Sequence, residues 1–221
     1  MKNTTKKLAT SALISLLVLA SCGGDDSKES STPSTDSAPM TSDAPMTSDG
    51  ATDSAPTEFA GQDLSNSSFI DMNFKGIDMT EVNLSGSDLT KSFFGSATMT
   101  SANLSQANLT ETGFSFADLT GADLSGATLT DANFSSVNFA NAKLTEVQGQ
   151  GAIFRKAQLN DASLVGANFT GANFSDAILT GADLTNVDFT DANLTYADFT
   201  GANMTGAILT GAIITGAIIP E

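Results

Sequence analysis

The side chains that usually carry out chemistry are scarce in this chain. Its 221 residues include no histidine, a single cysteine (Cys22) and 25 acidic against nine basic residues, for a formal net charge of −16. Without histidine the chain lacks the usual general base, the usual catalytic triad and a common metal ligand. One cysteine cannot form an internal disulfide. So acidic a chain is also unsuited to binding a nucleic-acid backbone, which requires clustered lysine and arginine.

The many carboxylates do not compensate for these absences. A catalytic acid pair needs burial or a strong partner to shift its pKa, whereas these acids are separated by asparagine and threonine in a pattern that indicates solvated ridges. We therefore expect no enzyme activity, no cofactor and no metal site. A calcium site among the acids, or an ice-binding column of threonines such as Thr90 and Thr110, remains a weaker alternative.

Cys22 lies at the end of a short segment that is typical of exported proteins. Three lysines within the first seven residues precede an apolar stretch at 8–19, which is shorter than the about 20 residues needed to span a bilayer. The segment ends in the letters LASC at 19–22, which resemble the lipobox of bacterial lipoproteins. The resemblance implies removal of residues 1–21, diacylglycerol on the Sγ of Cys22 and acylation of its new amine. The alternative is an ordinary secretory signal with an unrelated cysteine.

Residues 22–58 are expected to form a disordered tether that begins at the lipidated cysteine. The stretch is rich in Ser, Thr, Asp and Pro and contains the direct repeat APMTSD at 38–43 and 44–49, so it cannot bury enough apolar surface to offset chain entropy. The lipid anchor would place the protein in the bacterial cell envelope. By the enterobacterial sorting rule, Gly23 after the cysteine favours the outer membrane or cell surface over the inner membrane.

From residue 59 onward the sequence repeats every five residues. Stepping by five from Phe59 to Ile219 gives 33 positions, of which 32 hold Phe, Leu, Met or Ile and one holds Gly149. A small residue stands two positions earlier, Asp or Asn often stands one position earlier, and Ser or Thr often follows. A period of five fits neither an α-helix nor a plain strand. It fits a solenoid that turns a corner at every repeat.

Units such as ADLSG at 122–126 and ANFTG at 167–171 resemble the pentapeptide repeat family over residues 59–221. The resemblance implies an all-β fold, a right-handed quadrilateral β-helix of about eight coils, in which each pentad forms one side. The bulky residue and the preceding small residue would point inward. A second period of 20 supports four sides, because Phe occurs at 74, 94, 114, 134, 154 and 174, and Leu at 64, 84, 104, 124, 144, 164 and 184. At Gly149, the one gap in the core, we expect a local bulge or loop.

With the core assigned, function must come from outward residues. The side built on the Phe column carries Asp176 as its only acid and a set of aromatic, aliphatic and basic residues that we nominate as a partner surface: Phe93, Phe116, Ile153, Arg155, Lys156 and Tyr196. Scattered decay of the repeat is the competing explanation. Near the C-terminus Ile208, Ile213 and Ile218 replace the outward Asp or Asn, and we predict tail-to-tail homodimerisation through this coil.

The sequence therefore predicts a non-enzymatic, membrane-tethered lipoprotein that presents a rigid rod as a scaffold for a protein or envelope partner that the sequence does not name. The alternative follows from the family resemblance, since quinolone-resistance pentapeptide proteins are acidic rods that mimic DNA and bind type II topoisomerase. An exported, lipidated chain would not meet a cytosolic gyrase. The biological process, glycosylation of the tether, periplasmic or surface display, and oligomeric state are left open by the sequence.

Overall fold

The computed structural model describes residues 59–220. The leader, Cys22 and the tether, together with residue 221, lie outside the described residues. No helix within 59–220 has the length and apolar character required to span a membrane.

The described chain winds into a four-sided solenoid. All 28 β-bridges are parallel and join residues that are 20 apart, so one coil comprises four pentads. Eight coils follow one another, from coil 1 at 62–81 to coil 8, which starts at 202. The four sides are numbered by the first residue of their bridge ladders: side 1 from Asp63 to Asn203, side 2 from Ser68 to Ile208, side 3 from Asn73 to Ile213, and side 4 from Asp78 to Ile218. Each strand is reduced to its single bridge residue.

The bulky residue of each pentad fills the bore, as the sequence predicts. From Phe59 to Phe199 these bulky side chains are at most 3% exposed, and most of the small residues two positions earlier are buried beside them. Behind side 3, the rings of the Phe column stack with centroids 4.6–5.0 Å apart and planes within 5–22° of parallel. These distances match the spacing of hydrogen-bonded strands, and they show that the coils are evenly spaced behind side 3 over coils 1–6.

The outward Asp or Asn before each bulky residue completes the hydrogen bonding of its pentad. In the pentad at 82–86, the N–H of Asn83 donates to the preceding coil, and those of Leu84 and Gly86 donate to the following coil at 2.7–2.9 Å. The partly buried N–H of Ser85 donates to Oδ1 of Asn83 at 3.1 Å. Because a buried N–H without a partner is costly, the side-chain oxygen has a structural role, and the motif Asn/Asp-Leu/Phe-Ser/Thr reflects the local turn.

Every corner of the solenoid requires a left-handed backbone. The second residue after the bulky one has a positive φ at all 32 corners from Gly61 to Gly216, and 13 of the 32 are glycine. The others include aspartate and asparagine, which tolerate this conformation, and also Phe116, Lys156 and Tyr196, which adopt it rarely.

The bulge or loop expected at Gly149 is absent, and that prediction was wrong. The bridge ladder runs uninterrupted from Thr128 through Gln148 to Asn168, and the N–H of Gly149 donates to the following coil at 2.8 Å. The ring of Phe169, one coil further on, occupies the space of the missing side chain, since a Cβ on Gly149 would lie 2.5 Å from two of its carbons. A neighbouring ring fills the gap, so the backbone does not need to deform.

The two ends of the described solenoid differ. At the start, Phe59 and Phe69 both pack edge-on against Phe74 and are at most 3% exposed. In coil 8 the bore side chains are uncovered, and Ile214 is 48% exposed although it occupies a core position. Met204 and Leu209 are likewise only partly buried. The last described coil therefore presents the apolar interior of the rod.

Candidate functional site

The four sides of the rod differ sharply in charge. Side 3, with its adjoining corner, carries Lys75, Arg155 and Lys156 against the single acid Asp176, a formal charge of +2. The corresponding charges of sides 1, 2 and 4 are −3, −5 and −5. An acidic protein partner or a second acidic rod can therefore approach side 3 without the repulsion that the other sides would impose.

Phe93 lies on side 3 in a seat formed by two glycines. A Cβ on Gly95 would come within 2.6 Å of its ring, and a Cβ on Gly113, one coil further on, within 2.7 Å. Neither glycine has a positive φ, so space for the ring, rather than backbone conformation, accounts for them. The ring is held against the surface and remains 41% exposed. It offers a fixed apolar platform that a flexible side chain would not provide.

The other nominated apolar residues are distributed along the same side. Phe116 and Tyr196 occupy the corner between sides 3 and 4, where they are 70% and 64% exposed. The ring of Tyr196 lies over Gly216 of the next coil. Ile153, in the bridge ladder of side 3, is only half-buried. The nominated residues thus form a strip along the rod and do not gather in one pocket.

The basic residues lie at the centre of this strip. Nε of Arg155 is 4.0 Å from Oδ2 of Asp176 in the next coil, and both side chains are largely exposed. Lys156 occupies the adjacent corner and takes part in no ion pair within the described residues. Exposed pairs of this kind contribute little to stability, so the charges of Arg155 and Lys156 are available for contacts with a partner.

A second candidate surface lies on coil 8, the last coil that the structure describes. Ile208, Ile213 and Ile218 lie in the ladders of sides 2, 3 and 4 and are 46–57% exposed. The sequence also predicted a buried core position at 214, but Ile214 is exposed because no described coil covers it. The sequence reasoning missed Ile178 on side 4 and Ile70 on side 2, which are 39% and 47% exposed; each stands where neighbouring pentads have a polar residue, which was the available signal.

Several carboxylates accept hydrogen bonds within their own pentads and so stabilise the coil. The pKa of Asp78 is lowered by hydrogen bonds from the Thr80 hydroxyl and N–H, and Thr200 lowers the pKa of Asp198 in the same way. For Asp123, burial raises the pKa, but hydrogen bonds from Ser125 and the charge of Lys143 outweigh it and the net shift is downward.

Threonine hydroxyls are also used within the coils, because Thr90 and Thr110 donate to the neighbouring Asp88 and Asn108 at 2.5 and 2.7 Å. Such hydroxyls are less available for an external ligand. In the part of the chain that the structure describes, no group of three or more acidic or sulfur side chains is placed to hold a metal ion.

A four-sided solenoid with a filled bore and outward residues that chiefly maintain its turns belongs to the class of repeat rods that act through their surfaces. The sequence model for pentapeptide repeats matches this chain in eight copies. The matched residues are 77–115, 114–147, 152–191 and 182–219. The chain is a member of the pentapeptide repeat family, whose proteins are generally structural or protein-binding scaffolds.

Solved structures of other repeat proteins are similar to this chain. HetL, a pentapeptide repeat protein involved in heterocyst differentiation regulation in the cyanobacterium Nostoc sp. strain PCC 7120, is 26% identical, with 72% of this chain and 91% of HetL covered and a TM-score of 0.37. QnrB1, a plasmid-mediated fluoroquinolone resistance protein, is 22% identical, with coverages of 70% and 83% and a TM-score of 0.46. A thylakoid-lumen pentapeptide repeat protein of Arabidopsis thaliana is 29% identical over 54% of this chain and 69% of its own, with a TM-score of 0.40. No curated protein matches the chain.

Proposed function

We propose that the protein is a lipoprotein of the bacterial envelope whose rod is a non-enzymatic scaffold for protein contacts. The observation that carries the proposal is the contrast between side 3, which is apolar and weakly basic, and three strongly acidic sides. An enzyme would need reactive groups, and the chain contains no histidine and one cysteine. Contact with a partner is the function that the remaining outward residues support.

Membrane attachment is supported by the lipobox-like sequence that ends at Cys22. Several acyl chains on one residue anchor a protein stably, whereas a single chain gives only marginal binding. The test is metabolic labelling with radioactive palmitate followed by cell fractionation. We expect labelled protein in the membrane fraction and neither label nor membrane retention in Cys22→Ala. Unlabelled wild-type protein in the cytosol would contradict the proposal, and protease treatment of intact cells would separate surface from periplasmic display.

For the contact surface, we propose that Phe93, Phe116, Ile153, Arg155, Lys156 and Tyr196 form one partner-binding strip. A photo-crosslinking residue introduced at Phe93 or Tyr196 in living cells should capture a defined partner. The matched control is the same residue at Ile178, which is 39% exposed on side 4, compared with 41% for Phe93. Equal capture from both sides would show that side 3 has no special role.

For the open end of coil 8, we propose tail-to-tail association of two copies. The exposed Ile208, Ile213 and Ile218 surround a bore in which Ile214 is also uncovered, and an unpaired β-edge next to apolar residues favours pairing. The double substitution Ile208→Asp and Ile218→Asp should reduce the mass in solution by removing this contact. A wild-type protein that is monomeric at high concentration would rule the contact out.

The alternative function is DNA mimicry directed at a type II topoisomerase. The acidic charge of sides 1, 2 and 4 is the observation in its favour. Side 3 interrupts that charge along the whole rod, and the export-type segment would remove the chain from the cytosol. The alternative predicts that purified protein protects gyrase from a quinolone in a supercoiling assay; the scaffold proposal predicts no effect.

A further inference from the structure

Several outward residues of side 3 recur at equal distances on either side of coil 5. Ile153 stands at the centre of the bridge ladder, with Asn133 and Asn173 one coil away on either side. Three coils from Ile153 in the same ladder, Phe93 lies on one side and Ile213 on the other, and both are apolar. Two coils away the ladder is unequal, with Gly113 on one side and Asn193 on the other, so the residue types match at one and at three coils from Ile153.

The two neighbouring columns match in part, with Ser136 against Asp176 and Gly95 against Thr215 as the unequal pairs. In the corner column, Lys156 is at the centre, and the aromatic Phe116 and Tyr196 each lie two coils from it. The column between the bridge ladder and the corner column has Arg155 in coil 5, with Ser135 one coil before it and Ser175 one coil after it. Sides 1, 2 and 4 are acidic, and their exposed large apolar residues are Ile70 in coil 1, Ile178 in coil 6, and Ile208 and Ile218 in coil 8.

Equal numbers of coils correspond to equal distances along this side. The rings behind it are spaced evenly, at 4.6–5.0 Å over coils 1–6, and the bridge ladder of side 3 continues without interruption to coil 8. A two-fold axis that crosses the rod at coil 5, in the plane of contact, would place each residue opposite the residue of an antiparallel second copy that lies equally far on the other side of coil 5. An isologous contact of this type needs a self-complementary surface.

We propose that side 3 binds a second copy of this chain, antiparallel and side by side, with Ile153 at the two-fold axis. This inference rests on the proposed role of side 3 as a contact surface and names its partner. Phe116 meets Tyr196 of the second copy, and Phe93 meets Ile213 of the second copy. Symmetry produces each contact twice.

The exposure of these residues agrees with such a contact. Phe93, Phe116, Tyr196 and Ile213 are 41–70% exposed in the single chain, and aromatic and aliphatic groups of this size are typical of the centres of protein interfaces. The glycine seat of Phe93 holds its ring against the surface, so a second rod can approach closely. Ile153 is recessed beside the axis, where the two surfaces come nearest.

The two-fold axis places Arg155 and Lys156 opposite the same residues of the second copy, so each of these cations needs a carboxylate nearby. Side 3 is the one side of the described rod that lacks excess negative charge, so two copies repel each other least when they meet there. Arg155 already has Asp176 of its own chain as a partner. In the antiparallel copy, Asp176 lies one coil from Lys156 of the first chain, a distance of about 5 Å along the rod that a lysine side chain can span. Each Lys156 thereby gains a carboxylate that it lacks in the single chain.

Thiol crosslinking of the purified full chain tests the register of this dimer. The background carries Cys22→Ala to remove the native thiol, and Ile208→Asp with Ile218→Asp to remove tail-to-tail association. With a short bismaleimide, Ile153→Cys should crosslink to itself, because the axis passes beside it. Phe116→Cys chains alone should not crosslink, because the two cysteines of the dimer would be four coils, about 19 Å, apart. A mixture of Phe116→Cys chains with Tyr196→Cys chains should crosslink. Ile178→Cys on side 4 is the matched control.

Charge reversal gives a second measurement that needs no cysteine. Lys156→Asp places a carboxylate near Asp176 of the second copy and should weaken dimerisation about tenfold, because like charges at an interface are costly. Adding Asp176→Lys to Lys156→Asp should restore most of the affinity. Equilibrium sedimentation in the Ile208→Asp/Ile218→Asp background measures both.

A monomeric chain in that background, crosslinking of Ile178→Cys as strong as that of Ile153→Cys, or failure of the mixed pair to crosslink would overturn the proposal. So would loss of dimer in Lys156→Asp without recovery in the double variant. None of these results depends on palmitate labelling or on membrane fractionation. Failure of this dimer therefore remains distinguishable from failure of the proposed envelope function.

Discussion

At the scale of single residues, most outward positions are explained by the backbone that they support. Asn83 is outward, yet its Oδ1 accepts the N–H of Ser85 and so completes the turn. Glycine recurs at the corners because φ is positive there, whereas Gly95, Gly113 and Gly149 have ordinary φ and make room for aromatic rings. An outward residue is therefore a functional candidate only where the turns of the repeat do not require it. Phe93 is such a residue, because two glycines make room for its ring.

The corner conformation predicts a cost for adding a side chain where there is ample space. A Cβ on Gly171 would have no atom within 4 Å, and its φ is +67°. Gly171→Ala should therefore destabilise the rod by about 1–2 kcal/mol through backbone conformation alone. Ser96→Ala is the control, because Ser96 already has a φ of 58°. Urea unfolding of both variants measures the difference, and a neutral Gly171→Ala would show that the corners do not select glycine.

The carboxylates Asp78, Asp123 and Asp198 predict a pH dependence of stability. Their pKa values are lowered in the folded chain, so the stability that they contribute is present above the unfolded value and is lost as the pH falls through the lowered folded values. The triple substitution to Asn keeps the acceptor oxygens but cannot titrate. The stability difference between wild type and the triple variant should therefore shrink below about pH 3.8. Thermal melts from pH 7 to pH 2.5 measure it; a difference that does not change over this range would contradict the assignment.

At the scale of the element, each side is a stack of pentads whose cores can compensate for one another. Gly149 shows this, because the ring of Phe169 enters its space while the bridges continue. The sequence predicted a bulge or loop there because it does not show which neighbouring side chain fills the gap.

Filling the gap at Gly149 should be harmful unless the neighbouring ring is reduced. Gly149→Leu would clash with Phe169 and should cost about 1–3 kcal/mol, as overpacked cores do. Gly149→Leu combined with Phe169→Leu restores a column of leucines like that of Leu109 and Leu129 and should recover most of the loss. Denaturant unfolding of the two single variants and the double variant gives the coupling free energy. Additive effects would show that Phe169 does not occupy the gap.

At the scale of the whole molecule, the rod is quasi-one-dimensional: each coil contacts only its neighbours, and the interfaces between coils dominate stability. Its function then depends on which residues share a side and on how many coils separate them. The charge contrast between side 3 and the acidic sides, and the matching apolar positions of side 3 on either side of coil 5, are properties of the assembled rod.

The four-sided architecture predicts an unusual response to deletion. Removing residues 102–121, one full coil, keeps every column in place and should give a shorter folded rod. Removing only residues 102–111, half a coil, places Phe114 above Leu84 and should lower the melting temperature more, although fewer residues are lost. Circular dichroism during heating compares the two. A less stable 20-residue deletion would contradict four pentads per coil.

The sequence by itself determined the solenoid, its four sides and its buried columns, because a core position that recurs every five residues and a column that recurs every 20 leave few other ways to bury Phe and Leu. It also indicated the export segment at Cys22, which lies outside the described residues. The tertiary structure decided what depends on neighbours in space. Phe169 fills the gap at Gly149 and two glycines seat Phe93, because packing between residues that are distant along the chain sets both outcomes. Ile214 is exposed at a core position because no coil within residues 59–220 covers it.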